Sequence, residues 1–252
     1  MKKNKNRQPL SNTFYILLIV YFIWFAVSVL FQFSNFKPNW FTAHQKLFES
    51  LGITAVGLFC IILSFRFIVK SKYEPVTILC SLALVGRIFC YSAQIIFSGN
   101  TVLHLKSLPF GGIDSFCFYL ICFGIFSIIH KNDKNKQSLP SIFLLLLPIV
   151  LFIIPVLQYL LKSGSTNAAL YSFLFTAVPA AALFSALRCV KLKSVKLLSA
   201  AVIMAVFFDL LTYLSLVKAA NSMPAAMPSQ LIPFSAIIFT AGIKKRLEKY
   251  SD

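Results

Sequence analysis

Acidic side chains are scarce in this chain of 252 residues, which has 7 Asp and Glu against 24 Lys and Arg. Charged residues of both signs make up only 12% of the sequence, whereas ~25% is typical of soluble domains. Hydrophobic residues make up 58%. So few charges cannot cover the surface of a water-soluble protein of this size, and the composition therefore indicates that lipid surrounds much of the chain.

The sequence also lacks the short motifs of common enzyme and metal-binding classes. It contains no HExxH, G-x-S-x-G, P-loop or G-x-G-x-x-G pattern. Its three histidines, His44, His104 and His130, are far apart, and its six cysteines form no CxxC pair. We therefore expect no metal site and no cofactor, and we interpret the cysteines as small buried side chains.

Long apolar runs are what the sequence has instead. A helix needs about 20 mostly apolar residues to cross the hydrocarbon core of a membrane. Eight segments approach this length: Phe14–Phe31, Leu51–Val69, Val76–Phe97, Leu108–Ile129, Leu139–Leu161, Ala168–Leu187, Leu197–Val217 and Met223–Ile243. Prolines interrupt the last, and we expect its regular part to begin near Leu231. The first has no cleavage site after it, so we expect it to be retained rather than removed as a signal peptide.

The connections that join these segments alternate between many basic residues and few. One set of connections carries 18 Lys and Arg and the alternate set carries 5, while Arg87 lies inside a segment. Because cytoplasmic loops are enriched in basic residues, the pattern predicts both termini in the cytoplasm. It also accounts for the net charge of +17 without nucleic acid as a partner. The longest outer connection, residues 32–50, carries Trp40 and Phe48 and is predicted to lie along the membrane interface.

The sequence therefore predicts an all-α fold, a polytopic transmembrane bundle of about eight helices. We expect residues 1–252 to form a single integral membrane domain with no separate soluble domain. The expected location is the cell membrane, of the bacterial plasma-membrane type, and the expected partners are membrane lipids. A small-molecule or lipid ligand fits this setting, and the oligomeric state is left open.

Two ionisable residues fall near the middle of predicted spans. Arg87 lies about 11 residues into the third segment and Asp209 about 12 residues into the seventh. Both segments run from the inner to the outer side, so at ~1.5 Å per residue both charges are at a similar depth. This depth makes a direct ion pair geometrically possible, and the sequence leaves open whether the two side chains pair. The pair either locks two helices together or forms part of a polar cavity, because charges within spans are costly and often functional.

Asp114 is the third charged residue within a predicted span. It follows the sequence Pro109-Phe110-Gly111-Gly112, close to the outer end of the fourth segment. A carboxylate at that place complements the positive end of a helix. It is also a candidate contact for a substrate or a proton. Both interpretations remain open from the sequence.

Several of these positions resemble the lysoplasmalogenase (YhhN-like) family of eight-helix membrane proteins. The resemblance is carried by Gly86-Arg87, Gly112-Ile113, Phe116, Lys37-Pro38 and the sequence Phe208-Asp209-Leu210-Leu211. It covers the topology of most of the chain but only a few motif positions. The family has Gly-Asp where this chain has Gly86-Arg87, and His where it has Leu120.

Membership of this family implies hydrolysis of the vinyl-ether bond of lysoplasmalogens by two acidic residues. The resemblance thus implies a catalytic role for Asp209, with Arg87 and Asp114 contacting the substrate. Vinyl-ether hydrolysis needs a proton donor as well as a base, and an Arg keeps its proton. Two functional hypotheses follow. One is a hydrolase acting on membrane lipid ethers, and the other is a non-enzymatic membrane component such as a small-molecule transporter, a sensor or an integral partner subunit.

Overall fold

The computed structural model of the chain describes residues 9–33, 39–70, 74–96, 113–132, 166–192, 194–218 and 231–250. Within these ranges the chain forms helices and no β-strand. The seven helices are α1 (Pro9–Phe33), α2 (Asn39–Lys70), α3 (Pro75–Ile96), α4 (Ile113–Asn132), α5 (Thr166–Cys189), α6 (Lys196–Lys218) and α7 (Ile232–Tyr250). The predicted all-α class is confirmed. The predicted fifth segment, Leu139–Leu161, lies outside the described residues.

The last described helix occupies a central place among the others. Each described helix packs against the next along the chain, from α1 to α7. In addition, α7 packs against α1, α2 and α3. Its side chains Ile237, Phe239 and Ile243 are at most 2% exposed. Among the described helices, α1 to α6 therefore follow one another as neighbours, and α7 packs against four of them.

The start of α2 corrects one expectation. The helix begins at Asn39, within the stretch predicted to be a connection, and bends at His44, where φ is −120° and ψ is 16°. The rings of Trp24 and Phe48 stack with their centroids 4.0 Å apart, and the Trp40 ring lies 6.3 Å from Phe48. The start of α2 thus packs through its aromatic rings against α1, a contact that hydropathy alone does not predict.

The end of the chain differs less from expectation. We predicted that the regular part of the eighth segment begins near Leu231, and α7 begins at Ile232. The helix then continues past the predicted end, Ile243, to Tyr250, because basic and polar residues after the apolar run are also good helix formers. The earlier part of that segment, from Met223 to Gln230, lies outside the described residues.

Two helices of the described chain are long and apolar enough to cross a membrane, judged by length and composition. They are Asn12–Phe31 within α1 and Leu51–Val69 within α2. The apolar parts of three others are shorter: Pro75–Ile88, Ser115–Lys131 and Thr176–Cys189. The finding is therefore two helices that could cross a membrane, a coarser result than the eight spans predicted from the sequence.

Candidate functional site

Three helices bring polar side chains to one point. On each of them, buried side chains form a row along one face of the helix. On α3 the row runs from Thr77 through Leu84 to Arg87. On α6 it includes Val202, Val206 and Asp209. On α4 it includes Tyr119, which is 0% exposed. Since residues three, four and seven apart share a helix face, the polar groups lie on the same faces as the apolar residues that pack the helices together.

Arg87 and Asp209 form an ion pair, which the sequence allowed but left open. One guanidinium nitrogen, Nη2 of Arg87, donates to Oδ1 of Asp209 at 2.8 Å and to Oδ2 at 2.9 Å. The two side chains are 4% and 5% exposed. Hydrogen bonds between charged groups of this kind are about twice as strong as neutral ones. The pair therefore links α3 to α6 in the buried interior of the described helices.

Tyr119 of α4 completes the site. Its hydroxyl donates to Oδ2 of Asp209. The Arg87 guanidinium carbon lies 5.3 Å from the centre of the Tyr119 ring and 4.7 Å from that of Phe118. Aromatic faces attract cations at such distances. The carboxylate is thus held by an Arg and a Tyr, while the Arg is held by the carboxylate and two rings.

A small cavity lies on the other side of Arg87. It is lined by residues of α2, α3, α4, α6 and α7, and of the described lining residues only Arg87 is charged. Its volume is about 20 Å³. A cavity must offer ~10–15 Å³ to hold one water molecule, so this cavity has room for about one water. In this conformation the site does not hold a lipid-sized substrate.

The outcome for the three predicted site residues is not the same. The structure brings Arg87 and Asp209 together, whereas their roles in binding or catalysis stay predictions. Asp114 is the second residue of α4, which agrees with a position at the start of a helix. The side chain of Asp114 lies outside what the structure describes, so its role as a substrate contact stays a prediction.

Sequence reasoning missed Tyr119. Tyrosine is neither rare nor ionised within a span at neutral pH, so it gave no signal of a costly buried charge. One feature of the sequence pointed to this helix, because Tyr119 lies in the same predicted segment as the candidate site residue Asp114.

A second ion pair lies at the other end of α3. Nη2 of Arg246 on α7 donates to Oε1 of Glu74 at 3.1 Å. Glu74 immediately precedes α3, and its Oε2 accepts from the backbone N–H of Thr77 at 2.7 Å and from the Thr77 hydroxyl at 2.5 Å. Burial is the largest influence on the pKa of Glu74 and raises it, but Thr77 and Arg246 together outweigh burial, so the pKa is lowered from its ordinary value of 4.5.

Metal ligands do not cluster in the described part of the chain. Among the described residues no group of three or more His, Cys, Asp and Glu is arranged to hold a metal ion. Four buried cysteines, Cys60, Cys80, Cys122 and Cys189, are present as free thiols. The chemistry available at the site described above is therefore that of a guanidinium, a carboxylate and a phenol.

Comparison with known proteins adds no further constraint. No family model, no curated protein and no solved structure matches the chain. The site must accordingly be interpreted from its own geometry.

Proposed function

We propose that the chain is a multi-pass protein of the cell membrane with both termini in the cytoplasm. Large apolar side chains on the outer faces of several described helices support this. Ile16 and Ile19 of α1 are 60% and 59% exposed, and Ile62 of α2 and Leu82 of α3 are 55% and 52% exposed. Apolar surface on this scale would be a liability in water. The alternation of 18 and 5 basic residues supports the orientation.

Tags placed in three connections and at the C-terminus test this topology. A reporter of compartment is inserted after residue 134, 162, 193 or 252 in an otherwise unchanged chain. The tag at 162 should be reached from outside intact cells, and the other three only after the cells are opened. If the tag at 162 shares a compartment with the other three, the orientation is wrong.

We propose further that the chain is a non-enzymatic membrane component, a transporter, sensor or partner subunit, in which the buried polar site couples α3, α4 and α6. One observation carries this proposal: both oxygens of Asp209 are already engaged, by Arg87 and Tyr119, in a region that is at most 5% exposed. A carboxylate held in this way is a weaker base toward water than a free one, because both of its oxygens are stabilised by donors. Separating the three helices would expose an unpaired charge to lipid, so the site favours one arrangement of these helices over others.

An activity assay tests the non-enzymatic proposal directly. The purified chain is incubated in detergent micelles with labelled lysophospholipids, including vinyl-ether forms. No release of aldehyde or alcohol is expected above the level of an Asp209→Asn variant. Turnover by the unchanged chain that Asp209→Asn abolishes would contradict the proposal and favour the hydrolase below.

A lipid-ether hydrolase of the lysoplasmalogenase type is the second candidate, and Tyr119 is the observation that favours it. The resemblance left the proton donor open, because Arg87 replaces an acid. The phenol of Tyr119 supplies an O–H group against Asp209. In such a reaction Tyr119 protonates the vinyl-ether carbon, and water adds to the adjacent carbon while Asp209 accepts its proton. The hemiacetal then collapses to an aldehyde and an alcohol, and Tyr119 regains a proton from Asp209.

The two candidates differ in what Tyr119→Phe does. For the hydrolase, this variant should lose turnover while the chain stays folded, because only the O–H group is removed. Tyr21→Phe is the matched control, since Tyr21 of α1 is 2% exposed and lies on another helix. Equal losses in both variants would indicate general damage and would remove Tyr119 from the mechanism.

A further inference from the structure

A cleft of about 500 Å³ lies between the last turns of α4 and α5, on helices other than α3 and α6, which carry the ion pair. We call it the basic cleft. It is lined by aromatic and hydroxyl side chains and by three basic ones: Phe123, Phe126, Ser127, His130 and Lys131 of α4, and Phe184, Ser185 and Arg188 of α5. Its volume falls within the ~300–1,000 Å³ that is usual for ligand sites.

The basic groups of the cleft come from both helices and converge. Nη2 of Arg188 lies 2.5 Å from Nε2 of His130. The Arg188 guanidinium carbon is 5.4 Å from the centre of the Phe184 ring, which fixes the direction of the side chain. Lys131 is exposed and lines the same cleft. No described residue lining the cleft is acidic, so the described part of the lining carries positive charge.

Cations at the end of a helix have an ordinary explanation, because they interact well with the last carbonyl groups. That explanation applies to each helix separately. The contact between the two helices is a direct hydrogen bond, in which Arg188 donates to Nε2 of His130. Neither explanation accounts for the cleft beside that contact, where Arg188 of α5 and Lys131 of α4 face the same space. An anion that accepts hydrogen bonds from both helices fits this space.

Polarity changes along the cleft. Phe123 lies seven residues before His130 on α4, which corresponds to ~10 Å along a helix axis. Phe123 is 38% exposed and Phe184 is partly exposed, so aromatic surface is available at that end. The cleft therefore offers positive charge at the helix ends and apolar surface farther in. A membrane phospholipid has the matching order, with its phosphate at the membrane surface and its acyl chains deeper.

We propose that the basic cleft binds the phosphate group of an anionic membrane phospholipid, with its acyl chain along the aromatic end. The proposal rests on the multi-pass topology, because only that topology puts the ends of α4 and α5 at the cytoplasmic leaflet, where anionic lipids contribute to binding. The phosphate contacts Arg188 and Lys131, and Ser127 adds a hydroxyl donor.

Equilibrium binding to the full chain in detergent micelles tests the proposal. Fluorescent phosphatidylglycerol is titrated against the purified chain and compared with phosphatidylcholine that carries the same acyl chains. Inorganic phosphate and glycerol phosphate are added as competitors. We expect phosphatidylglycerol to bind more tightly than phosphatidylcholine, and the two soluble phosphates to compete poorly because they lack an acyl chain.

Three variants locate the binding. Arg188→Gln and Lys131→Gln should each weaken binding of phosphatidylglycerol about five-fold, the effect of one cation near an anionic surface. Arg66→Gln is the matched control, because Arg66 is an exposed cation of α2 that is predicted to lie on the same side of the membrane. It should change the affinity less than about two-fold. Lys131→Gln removes an exposed side chain, so its result does not depend on the packing of Arg188.

Each other outcome overturns the proposal. Equal affinity for the two lipids would show that charge is not recognised, and equal losses in all three variants would show attraction by the whole basic surface. Saturation by inorganic phosphate would assign the cleft to a soluble phosphate compound. Micelles have no sides, so lipid binding is measured whatever the topology, whereas the tags at residues 134, 162, 193 and 252 test the topology alone.

Discussion

Arg87 and Asp209 are tolerated within apolar helices because each supplies what the other lacks. A lone charge at the middle of a span costs about 2.5–3.5 kcal/mol on insertion scales. Here the carboxylate accepts two hydrogen bonds from Arg87 and one from Tyr119. The pair as a whole need not stabilise the fold more than apolar residues would, but removal of one member leaves the other buried and unsatisfied. The cluster thus specifies which faces meet.

Substitution of one or both charges tests this coupling. Arg87→Ala should lower the free energy of unfolding by about 3–5 kcal/mol, and the double variant Arg87→Ala with Asp209→Ala should lose less, because no carboxylate is left unpaired. Unfolding by SDS in mixed micelles gives the values. Additive losses would mean that the two side chains do not interact in the folded protein.

At the scale of helices, close approach between α6 and α7 depends on a residue without a side chain. A Cβ atom added to Gly242 of α7 would lie 2.8 Å from the backbone nitrogen of Leu198 on α6 and 2.9 Å from its Cγ. A backbone atom cannot move aside as the end of a flexible side chain can. Small residues at such crossings let helices in lipid pack by van der Waals contact.

Gly242→Ala is therefore expected to destabilise the protein by about 1–3 kcal/mol, the usual cost of overpacking. Gly124→Ala is the matched control, because a Cβ atom there meets nothing within 4 Å. That change should be neutral or slightly stabilising, since Ala favours a helix more than Gly does. The two variants are compared by SDS unfolding. Equal behaviour would mean that α6 and α7 are not this close.

Glu74 and Arg246 join the start of α3 to α7, and their contact should depend on pH. Because the folded pKa of Glu74 is lowered, the folded protein binds its proton less readily than the unfolded chain does. The contribution to stability is complete above the ordinary pKa of 4.5, and it is lost as the pH falls through the folded value.

Unfolding measured between pH 7 and pH 3 in the wild type and in Glu74→Gln tests this dependence. The wild type should lose more stability on acidification than the variant, which cannot ionise at this position. Arg66→Gln serves as a control, because it removes a cation from α2 without touching Glu74. A wild type and a Glu74→Gln variant with the same pH dependence would contradict the assigned contact.

At the scale of the whole molecule, apolar surface faces outward as well as inward. Tyr15 and Leu30 of α1 are 66% and 65% exposed, and Val69 of α2 is 68% exposed. Side chains of this kind usually lie inside a soluble protein. A protein surrounded by acyl chains needs no polar exterior over the width of the hydrocarbon, so it can carry such residues on both sides of a helix.

Fractionation of cells tests the predicted environment. The chain should stay in the membrane pellet after washing at pH 11 and after washing with 1 M salt, and it should enter solution only with detergent. A peripheral protein held by its basic residues would be released by salt, because screening weakens its attraction to anionic lipids. Release by either wash would contradict an integral protein.

The sequence alone predicted the helical class, six of the described helices close to their observed positions and the depth of Arg87 and Asp209. These features follow from hydropathy and from the constant rise of a helix, which are local properties. The sequence did not predict that α2 begins at Asn39, because the contacts of Trp40 and Phe48 that accompany that turn involve another helix.

Other features were decided only when the helices came together. Tyr119 gave no sign of its contact with Asp209, because a tyrosine in an apolar run has many uses and only the arrangement of the helices selects this one. The central place of α7 and the basic cleft between α4 and α5 likewise depend on which helices are neighbours. Apolar helix faces resemble one another in sequence, so their pairing is set by the fit of side chains in three dimensions.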